Sequence, residues 1–111
     1  MRITDVAQKT GARILVGNPD ADIKYAYTGD LLSDVMGHCS DESILITIQN
    51  HLNTVAVCTL VGVEAVLICH DRPVPDDMLA AASREEIAIL QTPISQFEAS
   101  IALSSLGPSR K

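Results

Sequence analysis

Three runs of aliphatic residues, separated by segments of helix length, constrain the fold of this chain more than any other feature. The runs are ESILITIQ (42–49), EAVLICH (64–70) and IAILQT (87–92), and the segments between them are NTVAVCTLVG (53–62) and PDDMLAAASREE (75–86). Strands that alternate with helices in this way indicate βαβ crossovers and a largely parallel sheet. Only 3% of the residues are aromatic, so Val, Ile, Leu and Ala must build the core, as is typical of buried parallel strands.

The rest of the chain adds shorter elements around these runs. Further strands are predicted at 13–17 and 23–29, and further helices at 5–9, 31–38 and 94–106. Asp30 and Asn53 each precede or open a predicted helix, and we expect both to cap it because short polar side chains accept hydrogen bonds from the first helical N–H groups. The sequence thus predicts one α/β domain over residues 1–107, with a mostly parallel sheet of about five strands flanked by helices. Residues 108–111 are expected to form a disordered tail.

The charge of the chain argues against two classes of partner. The formal net charge is −6, and the eight Lys and Arg residues are scattered without a basic stripe. Neither nucleic acid nor an anionic membrane is therefore expected as a partner. No apolar run approaches the ~20 residues that a membrane-spanning helix needs. We expect a cytoplasmic protein.

The three cysteines, Cys39, Cys58 and Cys69, are expected to be reduced thiols. They form no CxxC pair, and their odd number argues against a disulfide framework. Two of them adjoin a histidine, His38 or His70, which suggests metal ligands. Adjacent residues on a strand point to opposite faces, however, so Cys69 and His70 are poorly placed to share one ion. We therefore expect no metal and no cofactor.

Polar residues follow the three aliphatic runs at the point where each predicted strand ends. They are Gln49, Asn50 and His51, then His70, Asp71 and Arg72, and finally Gln91 and Thr92. Ligands of open parallel sheets bind outside the carboxyl ends of the strands, where helix N-termini present their N–H groups. The residues are predicted to form one polar ridge if these strands are neighbours. Two interpretations stay open, a ligand site and ordinary turn and capping chemistry.

Most catalytic motifs are absent from the chain. It contains no GxxxxGK[ST] loop, no GxGxxG and no GxSxG, which excludes kinases and hydrolases of those classes. An enzyme hypothesis can still be framed, in which His51 or His70 acts as a general base near Asp71 on a phosphorylated substrate held by helix N-termini.

The predicted helix NTVAVCTLVG has no charged residue over its whole length. A helix that is apolar on every side is either packed internally on every side or meets a partner. We expect a homodimer interface that includes Val55, Val57, Cys58 and Leu60, with internal packing as the alternative.

Two longer stretches resemble a known family. GDLLSDVM (29–36) and ITIQNHLNTVAV (46–57) are similar to small stand-alone proteins of the DRTGG-domain family, which is related in fold to the N-terminal domain of HPr kinase/phosphorylase, and the similarity runs from about residue 27 to 106. The pentapeptide DRTGG itself is missing, because Asp71 and Arg72 are followed by Pro73 and Val74.

The resemblance implies regulation more than catalysis. DRTGG domains accompany CBS pairs in regulated pyrophosphatases and occur in phosphotransacetylases, where they contribute to dimerisation and ligand response. The chemistry of HPr kinase resides in a separate P-loop domain that this chain lacks, so the resemblance supplies no catalytic residues. The leading hypothesis is a non-enzymatic regulatory domain that homodimerises and binds a partner protein or a small anionic ligand, such as a nucleotide, at its strand ends. The alternatives are a small enzyme with a histidine base and a purely structural interaction domain.

Overall fold

A six-stranded sheet forms the centre of the protein in the computed structural model, which describes residues Met1–Lys111. The strand order is β1-β5-β4-β3-β2-β6. In chain order the strands are β1 (Arg13–Val16), β2 (Tyr25–Thr28), β3 (Ser43–Thr47), β4 (Ala65–Ile68), β5 (Ala88–Gln91) and β6 (Gly107–Pro108). Strands β2 to β6 are parallel to one another where they pair, and β1 runs antiparallel to β5. The predicted mostly parallel α/β sheet is confirmed.

Five helices cover the two faces of the sheet. They are α1 (Ile3–Thr10), α2 (Leu32–His38), α3 (Leu52–Val61), α4 (Asp76–Arg84) and α5 (Gln96–Ala102). Helices α2, α3 and α4 pack on one face, and α1 and α5 pack on the other. None of these helices has the length and apolar character needed to cross a membrane.

The central strands have two apolar faces, which explains why their sequences read as continuous hydrophobic runs. Every residue of β3, β4 and β5 is buried. Successive strand residues point to opposite faces, so Leu45 and Val66 join the core under α2 to α4, while Ile46 and Leu67 join the core under α1 and α5. The aliphatic residues that dominate the composition thus form two core layers, one on each face of the sheet.

Several helix starts differ from the prediction. Helix α1 begins at Ile3 and not at residue 5. Asn53 lies inside α3, whose N-cap is His51, so the expected capping role of Asn53 is wrong. Helix α5 begins later than predicted because Ser95 caps it: the Glu98 N–H donates to Ser95 Oγ and the Ser95 N–H donates to Glu98 Oε1, each at 3.1 Å. This reciprocal capping box fixes the start of α5 at Gln96. The predicted end of α3 at Gly62 is confirmed, with the left-handed φ of 80° that glycine tolerates.

The C-terminal segment is ordered where a disordered tail was expected. Pro108 pairs with Ala26 as part of β6, and the Ser109 N–H donates to the Ala26 carbonyl at 2.9 Å. Ser109 is only 6% exposed, and its hydroxyl lies 2.6 Å from Ser43 Oγ. The expectation for residues 108 and 109 is corrected, because strand pairing and a buried hydroxyl cluster hold them in place.

Candidate ligand-binding site

The carboxyl ends of β2, β3, β4 and β5 meet along one side of the sheet, which we call the carboxyl edge. Because β3, β4 and β5 are neighbours, the residues that follow them lie along the same edge. The condition set for the predicted polar ridge is therefore met by the strand order. The residues placed there are Asp30, Gln49, Asn50, His51, His70, Asp71, Arg72, Gln91 and Thr92.

Side-chain hydrogen bonds tie the loops of the carboxyl edge together. The Asn50 side-chain amide donates to the Pro73 carbonyl at 2.7 Å, which joins the β3–α3 loop to the β4–α4 loop. The Gln91 amide donates to the Arg72 carbonyl at 2.8 Å, and the Arg13 guanidinium donates to Gln91 Oε1. Much of the ridge thus serves to position its own loops.

Asp30 is the polar centre of the edge, and the sequence prediction gave it a different role. Its carboxylate accepts hydrogen bonds from Thr47 Oγ1 at 2.9 Å, from the Ile48 N–H at 3.0 Å and from Gln96 Nε2 at 2.9 Å. The predicted cap of α2 is wrong, because Leu31 occupies the N-cap position and no side chain caps that helix. Asp30 instead connects β2, β3 and α5, a role that depends on contacts distant in sequence.

Two predicted ligand contacts are used internally. Thr92 is fully buried and its hydroxyl donates to the Thr10 carbonyl at 2.7 Å. Its backbone N–H donates to Ile68 and its carbonyl accepts from Asp71, so Thr92 has no group left for a ligand and that prediction is corrected. Gln49 donates its amide to the Asp30 carbonyl at 2.8 Å, which leaves its Oε1 as the remaining acceptor.

The turn after β4 presents three exposed side chains. His70 and Asp71 both have a left-handed backbone, with φ of 59° and 49°, which is uncommon for residues other than glycine. Their N–H groups donate to the carbonyls of Ile94 and Thr92 at 3.0 and 2.9 Å, so the turn is held by its backbone. The side chains of His70, Asp71 and Arg72 remain exposed to solvent.

Arg13 is a site residue that the sequence prediction missed. It lies opposite Gln91 because β1 pairs with β5 in antiparallel register, which brings the start of β1 to the carboxyl edge. Arg13 and Arg72 are both exposed, and neither guanidinium has a carboxylate within 4.0 Å. Gln91 therefore joins the Arg13 guanidinium to the backbone of Arg72, and both arginines carry positive charge without a carboxylate partner in an acidic protein. A parallel assignment for β1 would have placed Arg13 at the opposite end of the sheet.

The histidines of the enzyme hypothesis have no concave site. The structure contains four cavities, and neither His51 nor His70 lines any of them. A histidine base acts on a substrate held within hydrogen-bond reach. The carboxyl edge is a ridge of exposed donors, and neither histidine opens into a cavity that could enclose a substrate. This geometry does not support the enzyme hypothesis.

Only part of the predicted dimer surface on α3 is exposed to solvent. Val55 and Cys58 are 2% and 0% exposed and belong to the core under α2 to α4, so their assignment to an interface is corrected. Val57 is half-buried against the same core. Leu60 is 73% exposed, and Leu52 and Ala56 are exposed on the same side of the helix, one turn apart.

The three thiols are all free and buried. Burial raises the pKa of Cys58 to about 12 and that of Cys69 to about 11, and it also raises the pKa of Cys39. A thiol with a raised pKa carries little of the thiolate that reacts or binds metal. The cysteines therefore act as small apolar core residues.

No protein-family model and no curated protein matches this chain. Among solved structures it is similar to the crystal structure of the CBS and DRTGG domains of the regulatory region of Clostridium perfringens pyrophosphatase, complexed with the activator diadenosine tetraphosphate. The TM-score is 0.74 at 15% sequence identity over 93% of this chain. This chain shares its fold with part of that regulatory region. It spans about half of the other chain, 46% of its length, and the likeness concerns the fold alone.

Proposed function

We propose that the protein is a regulatory domain of the DRTGG type, without catalytic activity, that binds a small anionic ligand at the carboxyl edge. The observation that carries this proposal is the pair Arg13 and Arg72, which are exposed at the carboxyl edge, lack carboxylate partners and are joined through Gln91, by the Arg13 guanidinium and the Arg72 backbone carbonyl. Guanidinium groups bind carboxylates and phosphates through two parallel hydrogen bonds. Exposed His51 and His70 add further donors beside them.

A nucleotide is the ligand class that we favour. The structural neighbour was crystallised with a nucleotide activator, diadenosine tetraphosphate, which supports this class without identifying the ligand of the present chain. An acidic segment of a partner protein would address the same arginines, and competition with a nucleotide would reveal it. We also propose a cytoplasmic location, which the three buried free thiols support because reduced cysteines persist in reducing compartments.

Thermal unfolding tests the ligand proposal directly. A ligand at 100 times its dissociation constant adds ~2.7 kcal/mol to the free energy of unfolding, which corresponds to a rise in Tm of about 10 °C for a domain of this size. Diadenosine tetraphosphate and simple nucleotides are the probes. We expect the rise in the natural chain and its loss in the double variant Arg13→Gln/Arg72→Gln.

The control for this experiment is Arg84→Gln, which removes an exposed cation from the last turn of α4. It should keep the full response. A natural chain that shows no rise with any nucleotide would contradict the ligand proposal, and so would an equal loss in the control.

We further propose that the domain is a homodimer that pairs through the exposed side of α3. Each of the other four helices carries charged residues, whereas α3 carries none, so the helix itself brings no like charges into such an interface. Leu52, Ala56 and Leu60 supply the apolar surface. A groove of about 330 Å³ runs beside it to Ala81 of α4, and the exposed Glu85 marks its charged border.

Sedimentation separates this dimer from its alternatives. The natural chain should sediment as a dimer, and Leu60→Lys should yield a folded monomer because the charge would be buried in the interface. Ile101→Lys is the matched control, since Ile101 is an exposed apolar residue on α5 at the opposite face of the sheet. A natural chain that stays monomeric at high concentration would contradict self-association.

A further inference from the structure

A cleft of about 520 Å³ opens beside β2, between α2 and the residues that follow β6. We call it the C-terminal cleft, and its lining residues are Tyr27, Asp34, His38, Ser109, Arg110 and Lys111. No residue of the carboxyl edge lines it. Its volume lies within the range of small-molecule sites, roughly 300–1,000 Å³.

One wall of the cleft is formed by Tyr27, Asp34 and His38, which contact one another. The Tyr27 hydroxyl donates to Asp34 Oδ2 at 2.7 Å. His38 Nδ1 lies 3.1 Å from the Asp34 backbone carbonyl, its hydrogen-bond partner, and 3.2 Å from Asp34 Oδ1. Because both oxygens only accept, Nδ1 carries the hydrogen of the His38 ring, and Nε2 has no protein partner.

Tyr27 adds no negative charge to this wall at neutral pH. The hydrogen bond to Asp34 raises the pKa of Tyr27 to about 12, so the phenol stays neutral. Its ring is half-buried and packs against the core under α2 to α4. Tyr27 therefore presents an aromatic surface with a neutral polar tip to the cleft.

Two cationic side chains also line the cleft. Arg110 and Lys111 are exposed and form no ion pair, and Lys111 Nζ donates to the Met36 carbonyl. Asp34 is the one acidic side chain among the lining residues. Within a chain of net charge −6, the C-terminal cleft thus has two strongly basic side chains against one acidic side chain.

The two cations follow a residue that is firmly held. The Ser109 hydroxyl accepts a hydrogen bond from the Ser40 N–H at 2.7 Å and lies 2.6 Å from Ser43 Oγ. The Ser109 N–H also donates to Ala26. An anchor directly before Arg110 restricts where the cations can lie, which reduces the entropy that a ligand must overcome on binding.

We propose that the C-terminal cleft is a second anion-binding site, separate from the carboxyl edge, that takes a phosphorylated small molecule. The phosphate would bind Arg110 and Lys111 beside the His38 ring, and the rest of the molecule would lie against the Tyr27 ring. Arginine and lysine are the side chains that hold phosphates most often. The volume of the cleft leaves space beyond a single phosphate group.

Inorganic pyrophosphate is the probe that tests this site by NMR titration of the full chain. We expect the ring signals of Tyr27 and His38 to shift with saturation. The double variant Arg110→Gln/Lys111→Gln should weaken binding at these signals at least tenfold, as expected for the loss of charge-assisted hydrogen bonds to phosphate. Both side chains are exposed, so the variant should keep the natural fold, which its amide spectrum would verify.

Two controls separate this proposal from its alternatives. Lys9→Gln/Arg84→Gln makes the same change of net charge at exposed positions on α1 and α4 and should leave the affinity within twofold. Arg13→Gln/Arg72→Gln alters the carboxyl edge and should leave the Tyr27 and His38 shifts intact. The proposal is overturned if these two rings do not respond to millimolar probe, if the charge control loses as much affinity, or if only the carboxyl-edge variant does.

Discussion

The carboxyl edge and the C-terminal cleft use polar side chains in opposite ways. At the edge, Asp30, Asn50 and Gln91 bond to neighbouring loops, so most of their hydrogen-bonding capacity is consumed in holding the site together. In the cleft, Tyr27 and Asp34 bond to each other, and Arg110 and Lys111, which have no carboxylate partner, line the same concave space. A polar residue at a strand end is therefore not by itself a ligand contact. Only exposed polar groups that form no hydrogen bond to a neighbouring loop are available to bind a ligand.

The largest expected effect concerns Asp30, whose carboxylate supports the carboxyl edge. Asp30→Ala leaves Thr47, the Ile48 N–H and Gln96 without their acceptor, and we expect the free energy of unfolding to fall by about 2–3 kcal/mol. Urea denaturation measures this. Asp20→Ala, which removes an exposed carboxylate without side-chain bonds, should change stability by less than ~0.5 kcal/mol. Equal effects in the two variants would refute the central role of Asp30.

The anchor of the cleft should produce the next largest effect. Ser109→Ala removes the shared hydroxyl of the buried serine cluster and should lower the free energy of unfolding by about 1–2 kcal/mol. It should also weaken pyrophosphate binding, because the backbone directly before Arg110 and Lys111 would no longer be anchored by the Ser109 hydroxyl. The exposed Ser104 is the matched control, with an expected change under ~0.5 kcal/mol for Ser104→Ala. A Ser109→Ala protein as stable as this control would mean that the segment is disordered in solution.

A smaller effect is expected at Asn50, where a single exposed hydrogen bond joins two loops. Asn50→Ala removes the bond to the Pro73 carbonyl and should cost about 0.5–1 kcal/mol. Asn53→Ala should be neutral or slightly stabilising, because Asn53 lies within α3 and alanine is the better helix former. If Asn53 were the cap instead, its removal would cost ~1 kcal/mol. Denaturation of both variants decides between the two assignments.

The last prediction concerns the Tyr27–Asp34 contact, which is tested by titration at high pH. The raised pKa of about 12 means that folding favours the neutral phenol. This stabilisation is complete below the unfolded pKa of ~10 and is lost as the pH rises from there to about 12. In a Tyr25→Phe background, tyrosinate absorbance reports Tyr27 alone, and Asp34→Asn should lower its titration point towards ~10. An unchanged titration would show that the two side chains do not meet in solution.

The order of the elements was predictable because each depends on local sequence. The runs around β3, β4 and β5 are apolar at every position, and Gly62 ends α3 where the chain needs a left-handed backbone. Such signals act within one strand or one helical turn. The carboxyl ends of neighbouring parallel strands lie at the same edge of a sheet. The residues that follow β3, β4 and β5 could therefore be predicted to lie together.

The errors arose where a residue has a partner distant in the chain. Asp30 binds Gln96 in preference to capping the adjacent helix, and Arg13 reaches Gln91 because β1 reverses its direction against β5. The charge-free sequence of α3 could not show which of its sides faces the core, since Val55 and Leu60 are equally apolar in sequence. Periodicity identifies an amphipathic helix, and α3 gives no such contrast.

The alternation of aliphatic strands with helices around a mostly parallel sheet is specified by the sequence, because burial of a continuous apolar run on both faces allows few other arrangements. Which polar groups are free depends on the tertiary structure. It bound Thr92 to Thr10, brought Ser109 into the core beside Ser43, and left Arg13, Arg72, Arg110 and Lys111 without carboxylate partners. The physical reason is that a hydrogen bond or an ion pair depends on distances between atoms, which are set only when remote segments pack together.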